Sequence, residues 1–473
     1  MEPILLPTWN SSKEEKYFEQ SSIAHYNKTV EIVNNYNEWK IKIQKYCEND
    51  CVSLYDVLIK FRKLIFENWE LDIEKYPTTP SLAFAIYRKC YLQKNLIPIT
   101  EGEDFNFIRK SFTGGSTDMY KPYGENIRCY DVNSLYPYIM KTSKFPVGII
   151  RKFIGDITIL NNNDYYWFGD CDISTKKDLY QPYLQLHVDT KNGMRTISPN
   201  GSFNMILNSC EYYNSLKDYN IKINHGYFFD AKNIFNEFVD DLYNLRLKYP
   251  KTNPMNMTCK LIMNSLYGRF AMKPIYTDQV FVNKNIFLKL AKKYEIIDFI
   301  DLKDNEFFCS FINPKNLDKE LKISIGIASA VTAYSRVYMS QFKNNNNYNL
   351  YYTDTDSIFI DSDLNSKFIN NEIGNFKLEY IFKEVVFLGP KIYAGITNDN
   401  KYICKIKGYK NPQNISFDEL KSLLNKDNKL NLSHKKWFKS LIDSNIIIKE
   451  QLYTLIATDN KINCNYILAG AIV

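Results

Sequence analysis

Asp354 and Asp356 stand one residue apart in Tyr351-Tyr352-Thr353-Asp354-Thr355-Asp356-Ser357-Ile358-Phe359-Ile360, a β-branched and aromatic run broken at its centre by polar residues. The pattern predicts a strand, a tight turn and a second strand, with both carboxylates at the tip. Carboxylates held that close repel unless a cation lies between them, and oxygen-only ligands suit a hard ion such as Mg²⁺. A solvated acidic turn is the alternative, because Asp, Thr and Ser are ordinary turn residues. A third carboxylate, Asp131, closes the strand-like Ile127-Arg128-Cys129-Tyr130-Asp131-Val132. In the Asn133-Ser134-Leu135-Tyr136-Pro137-Tyr138 that follows, Ser134 is expected to cap a helix whose first turn tolerates Pro137. A carboxylate beside the free N–H groups of a helix start can share a metal and cradle phosphates, which suits a nucleoside triphosphate. A strand-to-helix corner with an incidental Asp competes with that reading.

Cations come from a predicted helical hairpin. From Asp230 the spacing of Ile234, Phe235, Phe238, Val239, Leu242 and Leu245 argues for an amphipathic helix with Arg246 and Lys248 near its end. Tyr249-Pro250-Lys251-Thr252-Asn253-Pro254 breaks it, and a second helix is expected from Met255 to Tyr267. There Lys260, Asn264, Tyr267 and Gly268 fall within about 100° of arc and share a face. Such a face can close over a triphosphate and a flat base, with Lys260 neutralising phosphate and Tyr267 packing on base or sugar. A helix with a polar face and a Gly stop is the plainer reading. Three carboxylates holding two divalent ions about 3.5–4 Å apart are what in-line attack on a phosphoryl group needs.

Composition sets the frame for these groups. With 473 residues the chain has length for roughly three domains or subdomains, and 45% hydrophobic content marks it as globular. The net charge of +7 is compatible with a polyanionic partner. Only 4 His stand against 37 Tyr and 30 Phe, which moves the chemistry away from imidazole bases towards carboxylates and Lys. The 10 Cys lack zinc-site spacing and read as free thiols in a reducing compartment. The apolar run from Ile323 is too short to span a bilayer, and Met1-Glu2-Pro3-Ile4 lacks the start of a signal peptide, so no membrane partner is expected.

Along the chain, Val52, Leu54, Tyr55, Val57, Leu58 and Phe61 predict an amphipathic helix after Tyr46 and Asp50. The stretch from Tyr76 to Arg88 reads as a loop feeding a capped helix. In Phe112-Thr113-Gly114-Gly115-Ser116 the paired glycines allow a turn that approaches a ligand closely, although a plain turn also accounts for them. Residues 145 to 225 and 273 to 320 alternate strand-like runs with turns, and Ile323 to Met339 reads as a buried helix under a sheet. Lys401, Lys405 and Lys407 would line one face of a strand, as a nucleic-acid track or a guarded sheet edge.

Asp131-Val132-Asn133-Ser134-Leu135-Tyr136-Pro137, Lys260-Leu261-Ile262-Met263-Asn264-Ser265-Leu266-Tyr267-Gly268 and Tyr352-Thr353-Asp354-Thr355-Asp356-Ser357 resemble, in this order, the three polymerase motifs of family B DNA polymerases. Gly114-Gly115 and Lys391-Ile392-Tyr393 resemble further elements of the protein-primed subgroup found in bacteriophages and linear plasmids, and Tyr76 to Arg88 looks most like its plasmid members, many of them mitochondrial. The resemblance covers roughly residues 40 to 410. It implies an α+β right-hand polymerase with an antiparallel-sheet palm, two-helix fingers, a small thumb and the subgroup's insertions. The implied layout is 1–62 exonuclease remnant, 63–125 connecting segment with the Gly-Gly loop, 126–155 first part of the palm, 156–228 inserted region, 229–272 fingers, 273–320 second inserted region, 321–397 remainder of the palm and 398–473 thumb.

The same resemblance implies that Asp131, Asp356 and the Val132 carbonyl hold two Mg²⁺ ions, or Mn²⁺, with Asp354 assisting. Ser134, Leu135 and Tyr136 would hold the triphosphate of a dNTP, with the Tyr136 ring excluding a ribose 2′-OH. Arg246, or failing it Lys248, would join Lys260 on the phosphates, and Asn264, Tyr267 and Gly268 would line the base-pair pocket. Gly114, Gly115, Ser265, Tyr352, Thr355, Lys391, Tyr393, Lys405 and Lys407 would contact primer-template DNA. A terminal protein would provide the priming hydroxyl, in a mitochondrial or otherwise cytoplasmic setting. Two departures stand out. Phe112 takes the place of the Tyr that usually opens the double-glycine motif, and Tyr46 to Asp50 resembles only the third motif of the family's 3′–5′ exonuclease. The chain therefore reads as the C-terminal portion of a longer enzyme, unable to proofread alone. A catalytically inactive paralogue that binds DNA or a terminal protein is the alternative. A reverse transcriptase is disfavoured by the Thr between the two Asp residues and by the Lys260 to Gly268 helix.

Overall fold

The computed structural model describes residues 36–162, 164–190, 193–272, 277–302, 304–313, 324–440, 442 and 445–458. Residues 1–35 of the expected exonuclease remnant, part of the second inserted region, Ile323 and the end of the expected thumb lie outside them. The chain divides into two compact units, 1–77 and 78–473, where length alone suggested three. No described helix is long and apolar enough to cross a membrane, and the nine described cysteines are free thiols.

In the first unit one helix, α1 (Tyr36–Trp69), covers the expected helix and extends ten residues before Tyr46. Its centre is not the buried stripe that the spacing suggested. Val52, Leu54, Tyr55, Val57 and Leu58 are all exposed, and Ile65 and Trp69 near its end are buried. Arg62 pairs with Asp72 and Glu74 beyond the helix end.

The second unit opens with α2 (Thr79–Cys90), where Thr78 and Ser81 form a capping box around Pro80, as the loop-then-helix reading predicted. Then come α3 (Gly102–Lys110), β1 (Thr117–Met119), β2 (Tyr123–Val132), α4 (Leu135–Thr142), β3 (Phe145–Ile154), β4 (Tyr165–Thr175), β5 (Leu186–Thr190), β6 (Gly193–Ile197), β7 (Ser202–Asn208), α5 (Ser209–Ser215) and β8 (Tyr219–Lys232). The helical hairpin is α6 (Asn236–Leu247) and α7 (Pro254–Phe270), followed by β9 (Thr277–Asn283), α8 (Lys284–Lys293), β10 (Glu295–Asp301) and β11 (Glu306–Ile312). The remainder is α9 (Ile325–Ser340), β12 (Leu350–Asp354), β13 (Ser357–Ile360), β14 (Phe376–Gly389), β15 (Ile392–Thr397), β16 (Tyr402–Ile406), α10 (Phe417–Ser422), β17 (Leu430–Ser440) and β18 (Asn445–Leu455).

A seven-stranded antiparallel sheet in the order β1-β12-β13-β2-β14-β15-β16 is the platform. A four-stranded sheet, β3-β8-β4-β7, stands apart from it, and β9 to β11 form a small sheet whose aromatic face packs on α8 through Phe287 and Phe307. Between the platform and the second sheet runs α9, buried over nearly its whole length. Its glycine, alanines and serines let α3, α4, α5 and α7 approach closely. It was expected under a sheet; it packs mainly against helices.

Strand pairing divides the chain differently from the expected boundaries. β3 hydrogen-bonds to β8, so 145–154 pairs into the four-stranded sheet and not the seven-stranded one. β16 pairs with β15, so the seven-stranded sheet runs past 397, into the stretch expected as thumb. Asp230 lies in β8, and the first finger helix starts only at Asn236. α7 continues through Gly268 to Phe270, because the apolar spacing Ile262, Leu266, Phe270 carries burial one turn further.

Aromatic packing fixes the fingers to α2. The Tyr87 ring lies among Phe235, Phe238 and Phe270, and its hydroxyl donates to the Ile234 carbonyl. At the other end of the site Gly374, with φ of 84°, donates its N–H to the Asn133 carbonyl, and a Cβ there would fall 2.2 Å from the Tyr138 ring. Gly374→Ala is therefore expected to lose about 2 kcal/mol or more of stability in urea unfolding, through strain and overpacking together. An unchanged midpoint would contradict that account.

Candidate active site

The three carboxylates meet because β13 lies between β12 and β2. Ser357 pairs with Asp131 on one side and with Asp354 on the other. The Val132 N–H donates to the Asp356 carbonyl at 2.8 Å, tying the turn to the strand that carries Asp131. Thr355 takes φ of 60° at the tip, and its N–H donates to the Ser116 carbonyl. The expected hairpin with both Asp at its tip is what the chain forms.

Crowding of negative charge shows in the acidities. Burial pushes the Asp131 carboxyl up to about 7, helped by the charges of Asp356 and Glu379 and opposed by Lys377 and Lys260. Asp356 is pushed up to about 6, again chiefly by burial, with Asp354 and Glu379 adding to the shift and Lys391 opposing it. The third carboxylate, Asp354, is paired: its Oδ1 accepts from Lys391 Nζ at 2.5 Å and from the Thr117 hydroxyl at 2.9 Å. Among the described residues no group of three or more acidic, His or Cys side chains forms a ready-made metal cage. Even so, an all-oxygen pair whose ionisation the surroundings disfavour fits a hard divalent cation.

Two charged residues here escaped sequence reading. Lys377 on β14 pairs with Asp131 in register, its Nζ 3.9 Å from Asp131 and 2.7 Å from Glu379. A bulge between Leu378 and Tyr380 leaves Glu379 out of register beside the cluster. The alternation Phe376-Lys377-Leu378-Glu379 signals a strand, but nothing in it names β2 as the neighbour.

On the nucleotide side, Ser134 stands at the start of α4 with φ of 54° and no capping bond from its side chain, contrary to the expected cap. Leu135 is buried. The Tyr136 ring lies 4.6 Å from Tyr267 on α7, so α4 and α7 meet through these two rings. Lys260 and Gly268 are exposed on that face and Asn264 is half-buried; nothing lies within 4 Å of where a Gly268 Cβ would be. Ser265 donates to the Leu261 carbonyl of its own helix. Arg246 is held by Asn256, which bonds in turn to the Arg246 and Tyr249 carbonyls and closes the hairpin, while Lys248 is exposed at the helix end.

On the expected DNA side the outcome is mixed. Gly115 lies against the Asp354–Asp356 turn, where a Cβ would fall 2.6 Å from Thr355, while Gly114 faces open space. Tyr352 is fully buried, stacks on Phe387 and accepts the Lys391 N–H on its hydroxyl. It is a core residue that positions Lys391, which corrects the expected primer contact. Tyr393 packs against Tyr352 and Phe359 and is half-buried. Of the three lysines only Lys405 lies within β16; Lys401 and Lys407 flank it and Ile403 is buried, so they form no continuous face. In the other unit Tyr46 and Asp50 are both exposed on α1.

Residues 8–349 match the family DNA polymerase type B, organellar and viral, and the chain belongs to that family. It is 36% identical over 447 residues to a probable DNA polymerase of Neurospora intermedia, covering 92% of this chain and 46% of that protein. A probable DNA polymerase of Ascobolus immersus is 35% identical over 437 residues, covering 91% of this chain and 36% of that protein. The chain thus spans less than half the length of these relatives. Among solved structures, phi29 DNA polymerase complexed with primer-template DNA superposes with a TM-score of 0.65 at 18% identity, over 83% of this chain and 70% of that one. The fold is accordingly the α+β right-hand polymerase fold.

Because Asp131 and Asp356 titrate above the usual carboxylate range, their protonated forms favour the metal-free fold. That contribution is fully present below about pH 4 and is lost as pH rises through about 6 and about 7. In EDTA, Asp131→Asn is expected to stabilise the chain at pH 8 by on the order of 1–2 kcal/mol and to leave it unchanged near pH 4. Equal thermal shifts at both values would refute the burial argument.

Proposed function

We propose that the chain is a DNA-directed DNA polymerase that adds dNTPs to a primer 3′-OH by two-metal-ion phosphoryl transfer. The observation that carries the reading is the register of β12, β13 and β2, which gathers Asp354, Asp356 and Asp131, the last within the field of Lys260. Asp131, Asp356 and the Val132 carbonyl would hold two Mg²⁺ or Mn²⁺ ions, with Asp354 and Glu379 alongside. Bound there, such ions supply positive charge to an attacking 3′-oxygen and a departing pyrophosphate. Lys260 binds the triphosphate, and the paired rings of Tyr136 and Tyr267 form a wall for the sugar and base. Lys391, braced by Tyr352, meets the primer strand. Priming by a terminal protein, replication of a linear plasmid and mitochondrial location follow from the resemblance and are supported by the organellar and viral character of the family. With one exonuclease-like motif, at Tyr46 to Asp50, the chain has no proofreading of its own.

Primer extension with dNTPs and Mg²⁺ tests this. Asp356→Asn should reduce extension by at least about 10³-fold, and full activity in that variant would sink the proposal. Binding of primer-template without incorporation by the unaltered chain would favour the inactive paralogue. Lys260→Ala should raise KM for dNTP by about 10–100-fold, the value of a charge-assisted phosphate contact; a change confined to DNA affinity would misplace it. A 3′-labelled primer incubated without dNTPs should keep its label.

A further inference from the structure

A buried charge pair lies outside the cluster described above. Arg336 on α9 and Glu211 on α5 are 5% and 4% exposed in their side chains. Arg336 Nε and Nη2 both donate to Glu211 Oε1, at 3.0 and 2.8 Å. The other carboxylate oxygen accepts from Asn208 Nδ2, and Asn208 Oδ1 accepts from the Tyr166 and Ser329 hydroxyls. Glu211 is thus fixed by the inserted sheet. The remaining guanidinium nitrogen, Nη1, donates to two backbone carbonyls, those of Thr113 and Gly114.

Those carbonyls decide where the following amides point. In a trans peptide the C=O and the next N–H are antiparallel. Drawing the Thr113 and Gly114 carbonyls onto Arg336 therefore turns the Gly114 and Gly115 N–H groups away from the core. Neither amide has an acceptor among the described residues, and Gly114 borders open space. Gly115 touches Thr355 of the catalytic turn, so the two donors lie next to the carboxylate cluster. Successive N–H groups of this kind suit a phosphate oxygen.

We propose that Glu211 is a positioning residue for DNA binding. Acting through Arg336, it aims the Gly114 and Gly115 amides at one backbone phosphate of the primer-template. The inserted sheet then forms part of the polymerase site. This rests on the polymerase reading and names one substrate atom within it. An unpaired arginine in so buried a position would let the loop carbonyls turn and the amides lose their aim.

The test uses the full chain and synthetic primer-templates carrying single methylphosphonate linkages, which neutralise one phosphate each. In the unaltered chain one linkage near the primer terminus should weaken binding about tenfold. Glu211→Gln should weaken binding of the unmodified duplex about tenfold, more than it raises KM for dNTP, and should be nearly insensitive to that linkage. Arg336→Lys keeps the charge but not the fork, and should show the same lost sensitivity if Glu211→Gln does not fold. Folded variants that keep the full linkage penalty overturn the inference while leaving the polymerase reading intact. Failure of both variants to fold assigns the pair to stability alone and also overturns it. An unaltered chain that neither binds nor extends primer-template overturns both.

Discussion

Like charges confined in a partly buried place are the constraint on which this structure turns. Two carboxylates pushed well up from their usual range, with a third beside them, would drive their strands apart if each were held by its own loop. Here they are held by backbone pairing, β12 to β13 and β13 to β2, so the repulsion acts against a continuous ladder. Cations surround the cluster at graded distance. Lys391 meets Asp354 directly, Lys377 stands farther from Asp131, and Lys260 reaches Asp131 only through its field. The site is thus poised between a metal-free state softened by protonation and a state that requires positive charge.

A second layer of support lies beneath the first. Strand β1 pairs with β12 through its backbone, and its Asp118 is met by the buried Lys343, which also donates to the Ser116 hydroxyl. Seven residues earlier along the same path, Arg336 anchors the Phe112 to Ser116 loop. Both cations belong to α9 and its extension, and α9 packs on β3 and β7 of the four-stranded sheet, on α7 of the helical hairpin and on α4 after β2. The four-stranded sheet is thus joined to the rest of its unit through α9.

What the sequence revealed follows from how local each signal is. The hairpin at Asp354 and Asp356, the capped helix after Thr78, the shared face of Lys260, Asn264 and Tyr267, and the burial of α9 depend on spacing within one segment, and all of them appear in the fold. Partnership between distant strands does not. The neighbour of Phe145–Ile154, the place of Lys377 beside Asp131 and the membership of Tyr402–Ile406 in the seven-stranded sheet are decided by register across the chain. Tyr352 shows a subtler limit. A tyrosine in a motif reads as a contact, yet alternation along β12 places it on the buried face, where its hydroxyl serves the backbone of Lys391. Ser134 misled for the opposite reason: its residue type favours a cap, but its left-handed backbone keeps the hydroxyl from the helix amides.

The contact of Gly115 with Thr355 carries a consequence for how such chains diverge. Each fills the space the other would need: a methyl at 115 requires the threonine to withdraw, and a bulkier residue at 355 presses on the loop. Drift at either position is tolerable only when the other compensates. Across a set of descendants the two should change together or not at all, so that a turn and a loop some 240 residues apart in the chain are inherited as a single unit.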